Sequence, residues 1–133
     1  MPRPLKRVVH RLYPRYLENN QMELRVPMES LPFDETLVKS HYSVGDFPPV
    51  LSSLPLGSCL EDNIMGELTK FEIQEDQLVL WIKAMGRKSH ILNYMVKERP
   101  PRITLRIIGQ ETSIEGGRTI FNSIRYFRLE RDR

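Results

Sequence analysis

NIMGELTKFEIQEDQLVLWIKAM, residues 63–85, is the stretch that decides the fold. Two runs rich in apolar residues, at about 64–73 and 78–85, flank the polar turn 74–77, and this pattern is typical of a β-hairpin. The second run is apolar on both faces, with Leu78, Leu80 and Ile82 on one and Val79 and Trp81 on the other. A strand that is apolar on both faces has neighbours on both, so we expect this one to lie inside a sheet.

Residues 102–129, RITLRIIGQETSIEGGRTIFNSIRYFRL, predict a second hairpin around a Gly-Gly turn. In its first strand Ile103, Leu105 and Ile107 alternate and are expected to point inward. The partner strand covers about 118–129, but its apolar residues change parity, because Ile120 and Ile124 alternate out of phase with Phe121, Phe127 and Leu129. A β-bulge between the two sets restores a common buried face.

Residues 86–101, GRKSHILNYMVKERPP, fit two interpretations. Ser89 suits a helix cap, the apolar residues that follow recur at helical spacing, and Pro100 with Pro101 would stop a helix. The same residues also alternate as a strand. We favour a short helix over 89–98.

The first residues favour a short basic amphipathic helix over 4–13, with a strand as the alternative. Leu5, Val8, Val9 and Leu12 recur at helical spacing, and Pro14 would end the helix. Residues 22–26 predict a short strand.

A segment interrupted by prolines covers residues 27–60. Its prolines prevent a long helix or ladder, yet apolar residues keep returning, which disordered linkers do not show. We interpret it as a long ordered arm with one helical turn near 35–40, packed on its own core or on a neighbouring subunit.

The predicted fold is mainly β (α+β): a small antiparallel sheet, or a partly open barrel or sandwich, of about five to six strands. The order of elements also resembles the coarse topology of an OB-type barrel. At 133 residues, 1–133 is expected to be one domain, with a basic segment at 1–17, the arm at 27–60 and a β-rich core at 62–133.

Charge is distributed unevenly along the chain. Residues 1–17 carry +5, residues 18–82 carry −9 and residues 83–133 carry +7, which together give the net charge of +3. Basic ends and an acidic middle are compatible with neutralisation inside one fold, with head-to-tail assembly of copies, or with a basic face for nucleic acid.

Motifs for chemistry are weak. The strand before Gly86-Arg87-Lys88-Ser89 lacks the glycine that a phosphate loop needs, and no two glycines have the G-x-G spacing of a dinucleotide site. The three histidines and Cys59 are scattered, without the short-range pairs of a metal site. We therefore expect no catalytic residues, no metal, no cofactor and no small-molecule substrate, and a protein that is not an enzyme.

Two functional hypotheses remain. The first is a structural or assembly protein, a small β-rich subunit of a larger, virus-like particle that works through protein contacts and forms oligomers. Its arm would bind the partner through Leu31, Phe33, Tyr42, Phe47, Val50 and Leu54. The alternative is a nucleic-acid-binding module for single-stranded DNA or RNA, which uses basic and aromatic side chains on a sheet.

The residues expected to contact nucleic acid or an acidic partner are Lys6, Arg7, Arg11, Arg15, Arg87, Lys88, Arg102, Arg106, Arg118, Arg125, Tyr126 and Arg128. No apolar run approaches the length of a membrane span, and the N-terminus lacks the features of a secretory signal. One cysteine excludes an internal disulfide. We expect an intracellular, cytoplasmic protein, or one inside a virus-like particle, with no membrane partner.

Overall fold

The computed structural model describes residues 5–52, 59–115 and 118–132, and leaves the side chains of 42, 44, 111–115, 118 and 119 undescribed. Within these ranges lie eight strands and two α-helices. The helices are α1 (Glu35–Val44) and α2 (Ser89–Glu98). The strands are β1 (Leu5–Leu12), β2 (Arg15–Leu17), β3 (Gln21–Pro27), β4 (Val50–Leu51), β5 (Ile64–Gln74), β6 (Gln77–Ala84), β7 (Ile103–Glu115) and β8 (Arg118–Arg131).

All eight strands form one curled sheet, a half-barrel, in the order β1-β7-β8-β4-β5-β6-β3-β2. Neighbours pair antiparallel except β4 and β8, which run parallel, so the sheet is mixed. The mainly β prediction is confirmed, and the predicted five to six strands are too few. The additional strands come from the N-terminus, which was predicted helical, and from two very short segments, β2 and β4.

The hairpin of β5 and β6 is at the centre of the fold. β6 pairs with β5 on one side and β3 on the other, so the prediction of an internal strand is confirmed. Leu78, Val79 and Leu80 are completely buried. Glu75 and Asp76 form the turn with φ angles of 51° and 60°. Positive φ at both positions is the geometry of a two-residue hairpin turn whose twist matches that of its strands.

The second hairpin, β7 and β8, carries the predicted irregularity. Its register shifts between Ile108 and Gly109 and again on both sides of Glu111. These shifts bring both parity sets of β8 to the buried side, since Phe121, Ile124 and Phe127 are all buried. The predicted bulge is confirmed.

Helix α2 occupies 89–98, as predicted. Leu92, Met95 and Val96 pack into the core. The predicted role of Ser89 as the cap is wrong, because the helix begins at Ser89 itself and the residue before it makes no capping side-chain hydrogen bond. The helix ends at Arg99, which has left-handed backbone angles and donates its N–H to the carbonyl of Met95.

The predicted N-terminal helix is wrong, because residues 5–12 form strand β1. β1 pairs antiparallel with β7 along its whole length, from Leu5 opposite Gln110 to Leu12 opposite Ile103. The apolar residues fit a helix and a strand about equally well. Pairing with β7 decides between them, since a helix this short gains little stability on its own and a strand here satisfies the backbone groups of β7.

Residues 27–52 are part of the chain's own fold and not an extended arm. They contain the ten-residue helix α1, longer than the single turn predicted, and the short strand β4. Leu31, Phe33, Val38 and Val50 belong to the main hydrophobic core. The N–H of Phe121 donates to the carbonyl of Pro32, which ties this segment to β8.

Candidate protein-binding surface

Strands β1, β7 and β8 present one face on which basic side chains converge. Residues directly opposite one another on paired strands point to the same side of a sheet. The pairing aligns Arg7 with Ile108 and Tyr126, then Val9 with Arg106 and Arg128, then Arg11 with Thr104 and Glu130. We call these three rows the basic face: Arg7, Val9, Arg11, Thr104, Arg106, Ile108, Tyr126, Arg128 and Glu130. Four arginines thus stand beside one glutamate.

Carboxylates neutralise part of this region. Arg106 forms an ion pair with Glu130 in the same face, and Arg102 forms one with Asp132 beside it. Arg7 and Arg11 are exposed on β1, and no ion pair is found for either within the described part of the chain. The net positive charge that remains is therefore greatest along β1.

Polar groups without partners occur in the same three strands. The Nε atom of Arg128 and the Nε2 atom of His10 are buried and make no hydrogen bond to any described residue. A cavity of about 440 Å³ opens on the basic face and includes Val9, Arg11 and Arg106 in its lining. The basic face thus combines charge, the exposed apolar side chain of Val9 and one unsatisfied donor, Arg128 Nε, whereas His10 points to the other side of β1.

The structure brings Arg7, Arg11, Arg106, Tyr126 and Arg128 together, out of the twelve contact residues predicted from the sequence. The remaining seven lie elsewhere or outside the described side chains.

Lys6 points to the opposite side of β1 from Arg7. Arg15 forms an ion pair with Glu23, and Arg87 forms one with Asp62. Lys88 borders a groove beside α2.

Arg102 lies just before β7, in its ion pair with Asp132. Arg125 lies at the register shift of β8 and donates to the Gln110 side chain at 3.0 Å. The side chain of Arg118 lies outside those described.

The arm residues predicted to bind a partner contact the chain itself. Leu31, Phe33 and Val50 are buried in the core, and Phe47 stacks edge to face on Phe71 with the ring centroids 5.7 Å apart. The Tyr42 side chain and Leu54 lie outside the described residues. The apolar surface of this segment therefore stabilises its own domain.

Sequence reasoning missed two features of the basic face. The first is β1 itself, which contributes Arg7, Val9 and Arg11 only because it is a strand beside β7. The second is the apolar component, Val9 and Ile108, between the arginines. The period-2 alternation of Leu5, Arg7, Val9 and Arg11 is the sequence signal that could have revealed both.

The acidic residues of the middle segment lie on the other half of the sheet. Exposed carboxylates flank β5: Glu61 and Asp62 precede it, and Glu75 and Asp76 lie in the turn after it. Asp34 and Glu35 begin α1, which packs against β5. Glu61 and Asp62 lie at the opposite end of the eleven-residue β5 from Glu75 and Asp76, whereas Glu35 lies beside Ile73 near the second pair. We call Asp34, Glu35, Glu75 and Asp76 the acidic surface. In the order of the sheet, β4 separates it from the basic face.

One carboxylate of the middle segment is buried. Glu23 is 3% exposed and accepts hydrogen bonds from Arg25 Nε at 2.9 Å and Trp81 Nε1 at 2.8 Å. Burial acts to raise its pKa, but these hydrogen bonds and the charges of Arg25 and Arg15 together outweigh burial and hold the pKa below its usual value. Glu23 is therefore a structural anion that joins β3 to β6.

Groups for catalysis or metal binding are dispersed in the described part of the chain. His10 is on β1, His41 is on α1 with Nδ1 3.1 Å from the carbonyl of Asp46, and His90 is exposed on α2. Cys59 is exposed. Within the described ranges, no group of three or more histidine, cysteine, aspartate or glutamate side chains is arranged to hold a metal ion.

Comparison with known proteins gives a match in structure and none in sequence. No family model matches the chain, and no curated protein matches it. Among solved structures, the fold is similar to that of gp21, the capsid assembly protease of bacteriophage T4, with a TM-score of 0.52 and 7% identity. The alignment covers 98% of this chain and 96% of that one. At this identity the likeness concerns the fold.

This match corrects one expectation from the sequence. The chain was expected not to be an enzyme, but the similar structure is that of a protease. We therefore withdraw that expectation. No helix in the described ranges has the length and apolar character that crossing a membrane requires.

Proposed function

We propose that this chain takes part in assembling a larger, virus-like protein particle, and that its basic face binds the acidic surface of a neighbouring copy. One observation carries the proposal: the two charges lie on different halves of one sheet. Two ion pairs, Arg15 with Glu23 and Arg87 with Asp62, join a basic end of the chain to its acidic middle. The exposed carboxylates of Glu75 and Asp76 lie in the turn after β5, and the exposed Arg7 and Arg11 lie on β1, which three strands separate from β5 in the order of the sheet.

Contact between unlike surfaces of two copies is heterologous, so it propagates into rings or longer assemblies. Such contacts are driven by complementary charge and weaken as salt screens it. The likeness to a capsid assembly protease supports a setting in which many protein subunits come together. Val9, which is 48% exposed within the basic face, provides apolar area that a purely charged contact lacks.

Nucleic acid is the competing partner, because arginines with Tyr126 on a sheet are also suited to phosphates and bases. Glu130 and Asp132 disfavour it, since both carboxylates would repel a phosphate backbone. The charges that they oppose, on Arg106 and Arg102, are already paired within the chain.

Light scattering over a range of protein concentrations tests the proposal. We expect the mean mass to rise with concentration at about 50 mM salt and to fall toward that of a monomer at about 500 mM. The variant Arg7→Glu/Arg11→Glu should stay monomeric at both salt concentrations. A matched control, Lys83→Glu/Lys97→Glu, changes the net charge equally at exposed positions away from the basic face and should assemble as the unmodified chain does.

A labelled single-stranded DNA of about 20 nucleotides provides the second arm of the experiment. A monomer at every concentration that binds this DNA with a steep salt dependence would overturn the proposal in favour of nucleic-acid binding. Equal loss of assembly in the two charge-reversed variants would also overturn it, because net charge and not the basic face would then control association.

A further inference from the structure

Strand β1 forms one end of the sheet and leaves an edge open. It pairs with β7 on one side over all eight residues, from Leu5 to Leu12, and its other side forms no ladder with a strand in the described part of the chain. The curl of the sheet brings part of β1 near β3, and two residues join the Leu12 end to β2, so the freest part of this edge is toward Leu5. At about 3.4 Å per residue this edge is about 27 Å long. Unpaired N–H and C=O groups along such an edge are a template for another strand.

Several common protections of an edge strand are missing from β1. Residues 5–12 contain no proline, and their register with β7 has no shift that would twist the edge away. Leu5 and Val9 are 49% and 48% exposed. The protection that remains is charge, from Lys6, Arg7 and Arg11. A positively charged edge repels basic strands and attracts acidic ones, so the sequence of β1 determines which strand can pair with it.

Another copy of β1 is a poor match for this edge, because residues 5–12 contain no carboxylate to place opposite Arg7 or Arg11 in any register. In a symmetric antiparallel pair centred on Val9, Arg7 of each copy would lie opposite Arg11 of the other. Like charges directly opposite one another destabilise a strand pair. Strand β2, at the other end of the sheet, is three residues long and carries Arg15, so it is no better a partner. A segment that carries carboxylates matches this edge better than either of these strands.

The outward side chains of β1 specify that segment. Leu5, Arg7, Val9 and Arg11 alternate apolar and cationic along one side of the strand. A strand added alongside places its own side chains next to these at every second position. We propose that β1 binds an extended segment of another protein in which acidic and apolar residues alternate at every second position. The acidic residues would lie opposite Arg7 and Arg11, and the apolar ones opposite Leu5 and Val9.

This inference goes beyond the proposed function and does not depend on it. Both use the side chains of Arg7, Val9 and Arg11, but strand addition also requires the backbone groups at the edge of β1, and assembly of copies does not. The two are measured separately, by the mass of the assembly and by the binding of a peptide.

Three designs of a labelled nine-residue peptide, four peptides in all, test the inference by fluorescence anisotropy. The patterned peptide is Thr-Glu-Thr-Val-Thr-Glu-Thr-Val-Thr. The reordered peptide has the same composition with its two glutamates adjacent and its two valines adjacent, so that charge is unchanged and the alternation is lost. The third is the patterned peptide, made in two forms with N-methyl groups on alternate residues, each form blocking a different edge of the peptide strand.

We expect the patterned peptide to bind at least about ten-fold more tightly than the reordered one, because four cross-strand pairs are matched in one and mismatched in the other. One methylated form should lose binding and the other should retain it, since only one edge of the peptide pairs with β1. Hydrogen exchange at the amides of residues 5–12 should slow when the patterned peptide is bound.

Equal binding of the patterned and reordered peptides would overturn the inference, because charge alone would then explain the affinity. Retention of binding by both methylated forms, unchanged exchange in β1, or no peptide binding at all would also overturn it. None of these results affects the assembly of copies measured by light scattering. Conversely, a monomeric protein that binds the patterned peptide would refute the proposed function and keep this inference.

Discussion

Replacing Phe71 with alanine tests whether residues 27–52 belong to the chain's own domain. Phe71 on β5 is completely buried. Among the described side chains, its ring lies edge to face against three others, with centroids 5.9 Å from His41, 5.7 Å from Phe47 and 6.0 Å from Phe127. These rings come from α1, from the loop after α1 and from β8. Phe71 therefore links the proline-containing segment to both halves of the sheet.

The expected loss in free energy of unfolding is about 3 to 5 kcal/mol for a buried phenylalanine cut to alanine. We expect a value near the upper end, because each edge-to-face pair adds about 0.5 to 1.5 kcal/mol beyond the buried area. The matched variant Phe47→Ala removes a half-buried ring with one of these contacts, and it should cost about 1 to 2 kcal/mol.

Urea unfolding measures both losses, with the fluorescence of Trp81, the single tryptophan of the chain, as the signal. Limited proteolysis of the Phe71→Ala protein should cut first within residues 35–47. A loss below about 1 kcal/mol for Phe71→Ala, or equal losses for the two variants, would refute the packing of this segment on its own core.

Three further substitutions test individual features. Glu23→Ala leaves its two hydrogen-bond donors without an acceptor and should cost about 2 to 3 kcal/mol in urea unfolding, and a loss below about 0.5 kcal/mol would contradict its structural role. Burial lowers the pKa of His10 from its ordinary 6.5, so the unfolded chain takes up the proton first as pH falls and stability drops. In His10→Gln the melting temperature should therefore fall less between pH 7 and pH 5.5 than in the unmodified chain, and an unchanged slope would contradict the burial. Gly86 has a φ of 90° and its added Cβ would lie 2.5 Å from a backbone carbonyl oxygen, so Gly86→Ala should cost about 2 to 4 kcal/mol. The control Gly45→Ala, with open space around it, should cost about 1 to 2 kcal/mol, and equal losses would exclude the close contact.

The parts of the fold that could be predicted from sequence are those whose pattern fits a single structure. A polar turn separates the β5 and β6 runs, and β6 is apolar on both of its faces. Few structures other than a hairpin with an internal strand explain this pattern. The parity change between Ile124 and Phe127 required a bulge for the same reason. In both places local sequence and tertiary burial agree, and such agreement makes a prediction dependable.

The N-terminal strand could not be predicted with the same security, because its structure is decided by a partner about 100 residues away. The apolar residues of this segment recur at helical spacing: Leu5, Val8, Val9 and Leu12. The two valines are also β-branched and therefore favour a strand. Pairing with β7 settles the choice, and pairing between distant segments is not contained in a local pattern. The same error hid two of the four arginines of the basic face, since Arg7 and Arg11 join Arg106 and Arg128 only when β1 is a strand.

The segment 27–52 illustrates a different limit. Its apolar residues correctly indicated order, but its prolines leave room for the ten-residue α1, where only one helical turn was predicted. Whether Leu31, Phe33 and Val50 cover the chain's own core or a neighbour depends on where β5 and β8 leave space, which composition does not show. Burial of these side chains in the structure answers the question in favour of the chain itself.

The most direct test of the central claim is to mix the unmodified chain with increasing amounts of Arg7→Glu/Arg11→Glu and to follow the mean mass by light scattering. This variant lacks a functional basic face and keeps the acidic surface. It should therefore cap assemblies of the unmodified chain and lower their mass below the weighted average of the two proteins measured separately. A mixture whose mass equals that weighted average at every ratio would contradict the account, because the acidic surface would then have no part in holding neighbouring copies.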